Sequence, residues 1–351
     1  MKFNLNKTEI IVFILIGFGI AVLPLIFTQD WTGISFMTTG QIGDTIGGVT
    51  APFLAFFGSI LVYGALKAQI EANSSIQRQF VVQQFESRFY KMIDLHVENV
   101  RGFSVQEFKL VDSSGYQAVG EISGRRVFLP MIKEFHFLLE IIYSFYMVPT
   151  SKINLDLNKL AYEIFFYGIT SEHVKPIDKT DKTFDDLKKK LIRFRRMFRD
   201  TRSTRRTLNS EYPKLSIEVT LRYVPFSGHE SRLGVYFRHL YQTVKQVNES
   251  EVNEIIDYDS ARRYLAILRG QLTNQEQQLL YYNYLFGSGD DWDKLGGRHQ
   301  FLTYYRMIHN IPLDDGRISE LVENPRIHFK DYIENHCTRE DPLFDWGDFV
   351  N

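Results

Sequence analysis

The chain has 351 residues, with 41 Lys and Arg against 42 Asp and Glu. That length holds one large soluble domain, or two small ones, plus an anchor. The near-zero charge balance excludes a global basic field of the kind that gathers nucleic acid. The single cysteine, Cys337, excludes an internal disulfide and any cysteine-built zinc site, and it fits a reducing compartment.

Two apolar segments open the chain. Residues 10–27 (IIVFILIGFGIAVLPLIF) carry no charge and are long enough to span hydrocarbon. The run exceeds a usual signal-peptide core, no small-x-small cleavage site follows, and a second uncharged segment comes at 46–66. Pro24 and Pro52 are tolerated better in membrane helices than in soluble ones. Gly43, Gly47, Ala51, Ala55 and Ser59 recur every four residues, a small-residue stripe that allows close helix packing. The loop at 28–45 holds Asp30 and Asp44 but no cation, whereas Lys2 and Lys7 precede the pair and Lys67 and Arg78 follow it. The positive-inside rule then places both termini in the cytoplasm and a short loop outside. The expected organisation is a two-helix transmembrane anchor over 1–66, a helical stalk over 67–100 and an α-helical cytoplasmic domain with little strand over 101–351.

From 67 to 100 there is no Gly or Pro, and Phe85, Phe89, Met92 and His96 recur at helical spacing. A hairpin is expected from 105–111 and 117–122, across DSSGY. Residues 126–147 (RVFLPMIKEFHFLLEIIYSFYM) read as a helix. Lys133, Glu134, His136 and Glu140 make it a packed core helix rather than a third span. Another helix covers 155–167. Residues 185–206 follow, with Leu187, Leu191, Phe194 and Phe198 keeping helical spacing beneath a dense cationic face that includes Lys188, Lys189, Arg195, Arg196 and Arg199. That face is a solvated helix surface, a phosphate contact for nucleic acid or a contact for anionic lipid. Residues 215–225 are β-like, and 231–247 and 259–272 are helical. Thr273 and Glu276 form a capping box that opens a helix ended by Gly287. Short helices are expected at 301–309 and 318–321, and the acidic tail reads as peripheral.

The familiar catalytic fingerprints do not occur: there is no phosphate-binding lysine loop, no dinucleotide turn, no GxSxG and no HExxH. No cofactor and no metal is expected. Asp290, Asp291 and Asp293 do not follow EF-hand spacing. Arg232 and His239, seven apart on one helix, with Arg238 adjacent, resemble the Arg–His motif of HEPN-type ribonucleases. The motif implies 2′-hydroxyl activation and phosphate stabilisation by these residues. Other polar residues interrupt apolar runs: His96, Asn99, Arg269, Gln271 and Asn283. They read as a hydrogen-bonded network in a helical core, or as a pocket or sensing surface.

Several stretches, taken in order, resemble the bacterial phage abortive infection (AbiC-like) family. They are GDTIGGVTAPFLAF, FESRFYKMIDLHVENV, GRRVFLPMIKEF, GVYFRHLYQTVK and YLAILRGQLTNQEQQLLYYN. They span residues 43–283. The resemblance implies a two-helix anchor, a helical cytoplasmic domain and a role in phage defence, and it carries over no catalytic residue. Two mechanisms are open. In one, the cytoplasmic domain senses infection, through a phage-derived or host trigger, and copies of the chain assemble in the bilayer as the effector. In the other, the anchor positions a metal-independent ribonuclease.

Overall fold

The computed structural model describes residues 39–110, 116–149, 152–178, 182–199, 207–209, 216–218, 221, 223–294, 300–313 and 318–348, with Val12, 15–19 and Val22 near the start. The chain divides into two compact units, Met1–Val81 and Val82–Asn351, and it is mainly helical.

Helix α1 runs from Thr39 to Arg101. From 51 to 66, within the first unit, its surface is apolar and uncovered. Leu54, Phe56, Leu61 and Val62 are each at least 60% exposed. Among the described residues this is the one helix long and apolar enough to cross a membrane by length and composition. Its most apolar window has a mean hydropathy of 1.6, and none of it is buried. The first expected span, 10–27, lies largely outside the described residues. Gly43, Gly47, Ala51, Ala55 and Ser59 all lie exposed on α1.

In the second unit the same helix turns apolar residues into a core: Phe85, Phe89 and Val100 are buried. Phe85 and Phe89 meet the edge of Tyr264 at 5.0 and 5.2 Å. Residues in the later part of the predicted stalk are therefore core residues of this unit. The hairpin forms as expected: β1 (Ser104–Leu110) pairs antiparallel with β2 (Tyr116–Ser123), with a bulge between Glu107 and Phe108. A 3-10 turn, Gly124–Val127, leads into α2 (Phe128–Phe145), which buries residues on every side. A helix apolar all round belongs inside a core or a bilayer. Here it is the centre of the unit, packed against three later helices.

Helix α3 (Leu155–Tyr167) starts at Asn154, whose side chain accepts from the amides of Asp156 and Leu157. Helix α4 (Lys182–Arg199) buries Phe184, Leu187, Leu191 and Phe194, and it exposes Lys182, Lys189, Arg193 and Arg196. A small pair, β3 (Thr207–Asn209) and β4 (Ser216–Glu218), follows. Then come α5 (Glu230–Val252), α6 (Tyr258–Arg269) and α7 (Asn274–Phe286). The predicted capping box opens α7, with Thr273 and Glu276 bonded reciprocally.

The C-terminal region departs from expectation. Residues 301–309 form turns rather than a helix, and two short helices, α8 (Pro325–His328) and α9 (Lys330–His336), come later. The acidic tail is built in. Leu343 and Phe344 are fully buried, their amides donate to the Asp348 carboxylate at 2.9 and 2.8 Å, and Asp341 bridges Arg262 and the buried Arg306.

Candidate ligand-binding cleft

The chain enters α5 through a loop fixed by one buried carboxylate. Glu134, on α2, is fully buried. It accepts from the Phe226 amide at 2.5 Å, from His229 Nε2 at 2.8 Å and from the Tyr223 hydroxyl. Burial, followed by the charge of Glu134, holds the Tyr223 phenol well above its ordinary range. Three donors converging on one carboxylate fix the backbone from 223 to 229.

That loop crosses the end of α3 at backbone contact. The His229 amide donates to Phe166 O at 2.8 Å, and the Ile169 amide donates to Phe226 O at 3.1 Å. A Cβ on Gly168 would lie 2.7 Å from Ser227 O, and one on Gly228 would lie 2.7 Å from the Tyr167 carbonyl. Both glycines also have φ +87, so neither position accepts a side chain. The crossing joins the end of α3 to the start of α5, and the two helices leave a shared corner.

Between them, with the end of α7 and the 3-10 turn Asp290–Trp292, lies a cleft of about 530 Å³. Tyr162, Phe166, Phe237, Tyr241, Phe286 and Trp292 give it aromatic walls, while Lys159, Glu163, Glu230, Arg238 and Asp291 bring charge. Asn283 organises one end. Its side-chain oxygen accepts from the Tyr162 hydroxyl at 2.8 Å, and its carbonyl accepts from the amides of Gly287 and Gly289 at 3.0 and 3.2 Å. A Cβ on Gly287 would come within 2.7 Å of both the Asn283 side chain and the Tyr162 ring, so glycine lets the chain turn there. Tyr241 and Trp292 meet edge to face at 5.5 Å.

Helix α5 divides the residues singled out from sequence. Arg238 lines the cleft. Arg232 and His239 are not among its lining residues. The Arg232 Nε donates to Ser104 O at 3.0 Å, and His239 Nε2 bonds to Met92 O at 2.9 Å. The His239 ring stacks on His96 at 6.2 Å. His96 is buried, neither of its ring nitrogens has a hydrogen-bond partner, and burial is the main reason its pKa is lowered to about 4. Arg269 donates to Arg306 O at 3.0 Å, and Gln271 O accepts from Arg125 at 2.5 Å. Asn99 is half-buried. Of the sequence-marked polar residues, Asn283 and Arg238 reach the cleft.

On α4, Lys189 and Arg196 are exposed, and Lys188 and Arg195 are half-buried. Lys188 lies over the Phe184 ring at 6.0 Å, Arg195 donates to Thr170 Oγ1 at 3.5 Å, and Arg199 ends the helix. No cluster of three or more His, Cys, Asp or Glu able to hold a metal occurs among the described residues. Glu134 is marked in the sequence only as a polar residue of a core helix, and His229 and the wall aromatics carry no signal of their own. Gly234, in the middle of α5 and on the cleft lining, is the residue whose type marks the place, since helix interiors disfavour glycine.

Residues 228–315 match the family model described as "Putative phage abortive infection protein". The match supports the family resemblance carried by the ordered stretches, and with it a role in phage abortive infection. The matched segment contains α5, α6 and α7 and the turn at Asp290–Trp292, hence most of the cleft wall. No curated protein and no solved structure matches the chain.

Proposed function

We propose, from the abortive-infection match of residues 228–315, that the chain is a membrane-anchored anti-phage protein of the bacterial inner membrane. Its cytoplasmic domain senses a phage-derived or host trigger, and its apolar helices act as, or position, the effector. The observation that carries the reading is the uncovered apolar length of α1. Burying one such side chain is worth roughly 1.5–3 kcal/mol, and Leu54, Phe56, Leu61 and Val62 all stand in the open. A bilayer supplies the missing cover. Residues 10–27 provide the companion span, and the absence of cations from 28–45 against Lys2, Lys7 and Lys67 supports cytoplasmic termini.

The small-residue stripe on α1 is the surface through which copies assemble as a homo-oligomer. The cations of α4 face the anionic headgroups, as a second and weaker attachment. Membrane action fits the geometry better than RNA cleavage: His239 Nε2 is engaged by the Met92 carbonyl, and Arg238 lies apart from His239 on the cleft lining.

The test is induction of the full chain during infection, with membrane potential and RNA integrity followed in parallel. Loss of potential before any RNA cleavage is expected. Cleaved RNA in cells that still hold their potential would transfer the effector step to a ribonuclease using Arg232, Arg238 or His239.

A further inference from the structure

Gly234 is unlike the other glycines around the cleft. A Cβ there would meet only the Phe166 ring at 3.8 Å and Glu230 Cγ at 4.0 Å, ordinary contact distances. Its φ is not in the left-handed region. Neither space nor backbone therefore requires glycine, and glycine destabilises a helix interior relative to alanine. What it does is keep the wall open beside Phe166, where a longer side chain would enter the cleft.

The charges around the opening sort themselves. Asp291 is paired with Lys294 at 3.0 Å. Glu163 feels both Lys159 and Lys175, whose charges oppose the upward pull of burial on its carboxyl. Glu230 and Arg238 make no hydrogen bond or ion pair among the described residues, yet both line the cleft. They lie eight residues apart on α5, about 12 Å along the axis. A free guanidinium fork is built for a phosphate or carboxylate, and a free carboxylate accepts from a hydroxyl or amine. Half-buried aromatic rings, Phe166 and Tyr241 among them, share the lining with them. Such rings offer a face on which any base can stack, since every base has a π-face.

We infer that this cleft binds a planar aromatic ligand carrying an anionic group, the chemistry of a nucleotide. The ring stacks against the aromatic walls, the anion is held by Arg238, and a hydroxyl or amine donates to Glu230. The ligand's standing as an infection signal rests on the proposed function, whereas binding is measured without it.

The experiment titrates the detergent-solubilised full chain with AMP, GMP, CMP and UMP, then with the matching nucleosides and with ribose 5-phosphate. Tryptophan fluorescence and ligand-observed NMR are the readouts. At least one nucleotide is expected to bind below about 1 mM, its nucleoside at least about tenfold more weakly, and ribose 5-phosphate not at all. Arg238→Ala should remove the difference between nucleotide and nucleoside. Gly234→Leu should abolish binding while leaving the melting temperature near that of the unmodified chain. Failure of all four nucleotides at about 1 mM, or unchanged binding in a folded Gly234→Leu protein, overturns the inference. Either failure leaves the membrane-potential experiment, and the reading it tests, intact.

Discussion

At the scale of single residues, the chain stores opposing proton linkages. Asp293 is buried beside the cleft turn and accepts from the Thr303 amide at 2.6 Å and its hydroxyl at 3.0 Å. Burial outweighs these bonds and lifts its pKa from 3.8 to about 7. The folded chain therefore keeps a proton that the unfolded chain releases. As pH rises from 3.8 to 7 this residue subtracts stability, at up to about 1.4 kcal/mol per unit. His96 and His136 act the other way. Burial lowers both from 6.5 to about 4, so the unfolded chain gains protons first and stability falls as pH drops from 6.5 toward 4. Asp293→Asn keeps the shape and removes one of the two slopes. Its melting temperature, measured from pH 4 to pH 8, should exceed that of the unmodified chain by a margin that widens as pH rises to 7 and is constant above. A constant margin across the range would mean that Asp293 does not hold the proton.

At the scale of elements, legibility followed the range of the determining forces. Helix α3 begins and ends where sequence places it, because Asn154 caps it and Gly168 cannot continue it. The α7 capping box was equally local. The tail was misread because its acidic residues suggest solvent, whereas Asp341 and Asp348 serve buried or half-buried partners far off in the fold or across a tight turn. The cleft depends on the crossing of Gly168 and Gly228, about 60 residues apart in a chain that shows no local sign of it. Of its lining, Arg238 and Asn283 stood out in the sequence. The small-residue stripe was legible outright, and α1 leaves it exposed. A Cβ on Gly47 would meet nothing within 4 Å, so Gly47→Leu fits the folded chain and relieves a helix-interior glycine. It should nevertheless abolish defence, measured as plaque formation, and reduce cross-linked oligomers, with membrane content unchanged. Full defence with undiminished cross-linking would show that the stripe does not join copies.

At the scale of the whole molecule, the net charge of -1 conceals a separation of duties. Two kinds of membrane attachment are proposed, and they differ in how salt acts on them. Insertion of the α1 apolar length depends on burial and is nearly indifferent to ionic strength. Attraction of α4 to anionic headgroups is screened over about 8 Å at physiological salt. Lys182, Lys189, Arg193 and Arg196 are exposed, while Phe184, Leu187, Leu191 and Phe194 hold the helix to the core, so reversing the first four to Glu spares the packing. In vesicles with and without an anionic lipid, the reconstituted unmodified chain should show α4 protected from proteolysis only with anionic lipid at low salt. The quadruple variant should lose that protection and remain fully membrane-embedded. Protection that persists in the variant, or appears equally on neutral vesicles, would return α4 to a solvated surface. Protection appearing instead on added RNA would assign the face to nucleic-acid phosphates. The comparison works because one attachment is removed while the other holds the protein in the bilayer.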